Sequence, residues 1–154
     1  MAPPQWDELK RAWVEDEGAL VDIRVPNASV EEWRGVIEAI GARWSLSLEA
    51  DGESVSMPSD LDRVFSSTGE FWLLRVALTP LINLNAHLPN EEIEFDFDPR
   101  EVLDQADLDV IVEFVLVVGR TVRRTVHVLV EGGELGTMDY MRYVDARDQI
   151  VVVD

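Results

Sequence analysis

The sequence predicts a single α+β domain over residues 1–154: an antiparallel or mixed sheet of six to eight strands with two main helices packed on it. Three observations lead there. Short runs such as Val21-Asp22-Ile23-Arg24-Val25 and Ile93-Glu94-Phe95-Asp96-Phe97 alternate apolar with polar residues, the period of a half-buried strand. Two longer segments, one beginning at Ser29 and one near Asp107, repeat apolar residues every three to four positions, the period of a helix. No linker, internal repeat or low-complexity tract divides the chain, and 154 residues with 47% hydrophobic content are enough for one core.

The elements follow in order. Pro4 opens a helix to about Asp16 with Trp6, Leu9 and Trp13 on one face, ended by Gly18. Val21 to Val25 is a strand closed by Pro26. Ser29 followed by Glu32 is a capping box, and the helix it starts buries Val30, Trp33, Ile37 and Ile40 before Gly41. Trp44, Leu46 and Leu48 alternate with polar residues in a strand that turns at Asp51-Gly52, a type I′ hairpin signal, and returns through Val55. Ser59 caps a short helix carrying Leu61, Val64 and Phe65. Phe71 to Leu78 is apolar on both parities and is placed centrally in the sheet. With Ile82 to Leu88 and Ile93 to Phe97 it forms an antiparallel meander. Asp98-Pro99-Arg100-Glu101 is a helix start, and the main helix runs from about Asp107 to Val118, ended by Gly119. Val122 to Val130, Met138 to Val144 and Ile150 to Val153 complete the sheet, with a turn at Gly132-Gly133.

Charge narrows the function classes. With 31 acidic against 13 basic residues, the net charge is −18. Nucleic-acid binding depends on Lys and Arg neutralising phosphates, so no nucleic-acid partner is expected. Anionic membranes repel such a chain as well. The longest apolar run, Val110 to Val118, is interrupted by Glu113 and falls short of the roughly 20 residues a membrane helix needs. The segment Met1-Ala2-Pro3-Pro4 lacks the basic and apolar regions of a signal peptide, and the chain has no cysteine. A cytoplasmic protein without disulfides is expected. The charge favours solubility and fast capture of a basic protein.

Signals for chemistry are weak. No phosphate-binding glycine loop, nucleophile elbow or zinc-protease motif occurs. His87 and His127 lie on separate strands without ligand spacing, so no metal, cofactor or catalytic residue is expected. His127, among valines, reads as a satisfied structural histidine. His87 shares a strand face with Asn83 and Asn85, which is either a solvated face or a polar binding patch. Calcium is not indicated, since the D-x-D-x-D-G loop is missing.

The densest constellation is acidic. Glu91 to Glu113 holds ten carboxylates and one basic residue, Arg100. Alternation sets Glu92, Glu94, Asp96 and Asp98 on the face opposite Ile93, Phe95 and Phe97. Like charges two residues apart repel, a cost that folding alone does not call for. These four, with Asp104 and Asp107, are the candidate partner-binding residues. The competing reading is an acidic, solvated edge that blocks strand-to-strand aggregation.

The same region carries a resemblance. Glu94-Phe95-Asp96-Phe97-Asp98-Pro99-Arg100-Glu101-Val102 resembles the E-F-D-x-D-P-R-E-V stretch of small bacterial immunity proteins of polymorphic-toxin systems. Asp107-Leu108-Asp109 through Phe114 to Gly119-Arg120 resembles their main helix, and Met141-Arg142-Tyr143 is similar to their closing strand. The match covers residues 91–144. It departs from the pattern after the main helix, where Arg123-Arg124 replaces the usual Lys-Pro. The resemblance implies a protein that binds and neutralises a cognate toxin made by the same cell. It carries over no site residue, because binding residues in such proteins vary with the toxin. Two other readings stand beside it: an acidic small-molecule-binding or structural domain, and a hydrolase built on two surface carboxylates.

Overall fold

The computed structural model of the chain describes residues 3–15, 19–66 and 69–153. Nine strands are found among these residues: β1 (Val21–Val25), β2 (Ser45–Ala50), β3 (Glu53–Val55), β4 (Trp72–Ala77), β5 (Asn83–Leu88), β6 (Ile93–Phe97), β7 (Val126–Val130), β8 (Asp139–Val144) and β9 (Gln149–Val152). They form one open sheet in the order β3-β2-β4-β5-β6-β1-β7-β8-β9, with every pair antiparallel. Four helices accompany it: α1 (Trp6–Glu15), α2 (Val30–Gly41), α3 (Asp62–Ser66) and α4 (Gln105–Val122). The α+β class is as expected. The sheet has nine strands, one more than the expected upper bound, with the short strands β3 and β9 at its edges.

The key step in the topology is non-local. β1 inserts between β6 and β7, so that Val21, Ile23 and Val25 stand beside Phe97, Phe95 and Ile93. That face is covered by the helices and holds the core. Trp33 of α2, Phe95 of β6 and Phe114 of α4 meet there, with ring centroids 5.6 and 5.1 Å apart. Phe95 and Phe97 are buried as strand alternation predicts, and Trp33, Ile37, Phe114 and Val118 as helical spacing predicts. Trp44 and Leu46, also expected in the core, are only partly buried, and Trp44 packs its ring on Phe114.

Local signals are realised unevenly. Ser29 and Glu32 form the reciprocal capping box of α2, each bond 3.1 Å. Asp51 and Gly52 take φ of 49° and 85°, the left-handed pair a type I′ turn requires. β4 begins at Trp72 and lies third from one edge; Phe71, read as part of a central strand, is 80% exposed. Asp98-Pro99 starts only a 3-10 turn, Pro99–Glu101, and α4 begins afresh at an Asp104 N-cap. α4 also runs past Gly119 to Val122, which was assigned to the next strand, and stops where Arg123 turns left-handed at φ 54°. Gly119 is not a helix end but a place of close approach: a Cβ there would lie 2.2 Å from the Tyr143 ring. The Gly18 helix stop lies outside the described residues, and α1 is seen to Glu15.

Candidate functional site: the open face of the sheet

Among the described residues no helix covers the other face of the sheet. The register puts Arg75 of β4, Asn83, Asn85 and His87 of β5, Glu94 and Asp96 of β6, and Asp22 and Arg24 of β1 on it. Two patches singled out separately, the asparagine–histidine strand and the acidic ladder, are therefore one surface, with Asn85 directly opposite Asp96.

Its centre is a group of carboxylates. Asp22 and Asp96 face each other across β1 and β6, and Glu94 stands diagonally beside them. Burial pushes the Asp22 carboxyl up to about 6, with the charges of Glu94 and Asp96 adding to the rise. Burial also raises Asp96 and Glu94 above the ordinary carboxylate value, although His87 acts against the rise at both. Such carboxyls hold a proton more readily than free ones and gain by meeting a cation.

A cation already sits beside this group. Arg24 of β1 grips Glu92 bidentately, its Nη2 2.9 and 3.0 Å from the two carboxylate oxygens. It also lies 3.5 Å from Glu94 Oε2. The upper end of the ladder is thus neutralised from a neighbouring strand, whereas Asp96 and Asp22 form no salt bridge among the described residues.

A strap of chain, residues 131–138, folds back onto the β7–β8 side of this face and buries Leu129. Two carboxylates hold it. Gly132 N–H donates to Asp22 at 3.2 Å, and Gly136 N–H donates to Asp139 at 3.0 Å. Arg24 and Arg142 add bonds to the Gly133 and Gly136 carbonyls. The same Asp139 lies 2.7 Å from His127 Nδ1 and 3.0 Å from Arg142 Nε. His127 is therefore a partnered histidine, as read, but its partner is a buried carboxylate of β8 that orients the ring.

The six candidate residues do not stay together. Glu94 and Asp96 are on the open face, and Glu92 joins them from the turn before β6. Asp98, just past β6, is the cap of the 3-10 turn, and its bidentate bond from Arg100 holds its carboxyl below the usual range. Asp104 and Asp107 are at the start of α4, where Asp104 accepts from Asp107 N–H and Asp107 from Leu103 N–H, both at 2.9 Å. They serve as helix caps, with their charges near the positive end of the helix. Asp22 and Arg24, not singled out from the sequence, belong to the site. Their only signal was that they point away from the apolar side of β1.

Among the described residues no group of three His, Asp or Glu is arranged to hold a metal ion, and no helix is long and apolar enough to cross a membrane. Two surface clefts, of about 410 and 390 Å3, are lined by other residues, around Phe65 with Asn90 and around Trp6 with Leu103. No protein-family model, curated protein or solved structure matches the chain.

Proposed function

We propose that this chain is an immunity-type inhibitor, which binds a cationic protein toxin through the open face of its sheet and blocks the toxin by covering its active site. The observation that carries the reading is the carboxylate group at the centre of that face. Asp22 and Asp96 are opposed across two strands with Glu94 beside them, and each has a raised proton affinity. Like charges placed directly opposite each other in a sheet are destabilising. A cationic side chain of a partner relieves that cost on docking. The protein's net charge of −18 adds long-range attraction for such a partner. The resemblance over residues 91–144 supplies the class of partner.

The test is a pull-down from the source cell, followed by binding kinetics on the protein recovered. The double variant Glu94→Gln/Asp96→Asn removes two charges at the centre. Glu38→Gln/Glu53→Gln removes two from exposed positions on α2 and β3. The expected result is a slower on-rate and weaker binding for the first pair only, with an on-rate that falls as salt rises. Equal losses from both pairs would reduce the effect to bulk charge. No loss from the central pair, with the partner in hand, would sink the reading.

A further inference from the structure

The two edges of the sheet are finished differently. β3 closes one edge with three exposed residues, Glu53-Ser54-Val55, a short and charged strand of the kind that resists pairing with another chain. β9 closes the other with Gln149-Ile150-Val151-Val152, followed by Val153, and carries no charge. Its ladder fixes which backbone groups are left over. Val153 N–H donates to the Tyr140 carbonyl at 2.9 Å, which makes that pair a hydrogen-bonded one. Alternation then gives the bonds with β8 to Gln149 and Val151 and turns the N–H and C=O of Ile150 and Val152 outward. No described strand lies beyond them.

A flank of α4 runs alongside this edge. Gln105, Asp109, Val112, Leu116 and Arg120 follow one another at helical spacing. A cleft of about 170 Å3 separates them from the strand, with Val112 and Leu116 on the helix side, Ile150 on the strand side and Pro3 and Pro4 of the N-terminal segment closing the Gln105 end, where Gln105 donates to the Pro4 carbonyl at 3.1 Å. The exposed groups of the flank are an acid, Asp109, at one end and a cation, Arg120, at the other. Such an order is complementary to a copy of itself only when the copy is reversed.

We propose that a second copy of this chain docks here, β9 against β9 antiparallel about Val151, joining the two sheets into one. The same two-fold axis serves the helices. Arg120 reaches Asp148 at 2.8 Å, so that end of α4 is level with the start of β9, and the point midway between Asp109 and Arg120 is level with Val151. Asp109 of each copy then faces Arg120 of the other across the axis. Strands about 4.8 Å apart leave the two helices roughly 10–15 Å apart, within reach of an arginine and an aspartate side chain. The edge lies three strands from β1, so the acidic face stays open, and the inference is independent of the function proposed for that face.

The test is sedimentation velocity on the full chain. A concentration-dependent dimer is expected, growing as salt rises from about 0.01 to 0.15 M, because screening weakens the repulsion between two strongly acidic copies. Val152→Pro removes an outward donor while leaving the bonds to β8 in place. That variant is expected to be monomeric where the wild type is dimeric, with an unchanged circular dichroism spectrum. Asp109→Arg sets arginine against Arg120 of the other copy and is expected to weaken the dimer at least about tenfold. Adding Arg120→Asp is expected to restore it, a rescue that misfolding cannot imitate. A wild-type chain that remains monomeric at hundreds of micromolar overturns the proposal. So does a dimer that both Val152→Pro and Asp109→Arg leave intact.

Discussion

The helix-covered face of the sheet and its open face are made by the same strands, one residue apart, yet they do opposite work. On the covered face β1 and β6 contribute Val21, Ile23, Val25, Ile93, Phe95 and Phe97, every one buried against apolar neighbours. On the open face the intervening residues are Asp22, Arg24, Glu94 and Asp96, and three of these four are carboxylates with raised proton affinity. Burial of apolar area stabilises the first face; the second holds charges closer than folding prefers. Apolar burial and charge repulsion are therefore separable in this fold, and substitutions on the two faces should differ in sign as well as in size.

The largest effect belongs to the covered face. Phe95 has no exposed surface and packs its ring against Trp33 and Phe114. Phe95→Ala is expected to lower the unfolding free energy by about 3–5 kcal/mol, read by chemical denaturation. A loss below 1 kcal/mol would mean that this face does not carry the core.

Asp22 comes next, and its effect has the opposite sign. It is only 5% exposed, and its carboxyl rises from an ordinary 3.8 to about 6. The folded state therefore holds this proton more tightly than the unfolded chain. The contribution to stability is full below about pH 4, is lost as pH rises through 6, and amounts to on the order of 3 kcal/mol. Asp22→Asn keeps an oxygen to accept the Gly132 N–H. It is expected to match the wild type near pH 4, to be more stable at pH 7, and to flatten the unfolding profile between them. A variant less stable than the wild type at pH 7 would place Asp22 among the structural groups.

Gly119→Ala probes the covered face more gently. The added methyl would meet the Tyr143 ring at 2.2 Å, and overpacking of this kind costs about 1–3 kcal/mol. An unchanged denaturation midpoint would show that the Tyr143 ring moves aside freely.

These residues also mark how far the sequence could be read. Alternation within a strand is local, so the parity of Phe95 and Asp96, the capping box at Ser29 and the turn at Asp51-Gly52 were all legible. Contacts between distant segments were not. Nothing near Glu92 announces that Arg24, 68 positions earlier, will grip it. That depends on β1 inserting beside β6, a choice made by packing of the whole sheet. Gly119 was read as a helix stop because glycine often ends helices, but its role comes from Tyr143 on a strand not yet placed. Asp104 and Asp107 were grouped with the ladder because they are near it in sequence; the 3-10 turn at Pro99–Glu101 and the fresh start of α4 carry them elsewhere. His127 was correctly read as partnered, but Asp139 could be named only once β7 and β8 were in register.

The smallest change in stability bears most directly on the central claim, that the acidic centre of the open face is kept for binding and not for folding. Glu94→Gln/Asp96→Asn leaves the shape of that surface in place and removes two of its charges. The decisive measurement is the unfolding midpoint of this variant in urea at pH 7, beside the wild type. The expected midpoint is equal to or slightly above that of the wild type, a gain of less than about 1 kcal/mol in unfolding free energy, with an unchanged slope. A midpoint clearly below the wild type, with the slope unchanged, would show that the fold needs these carboxylates and would contradict the claim.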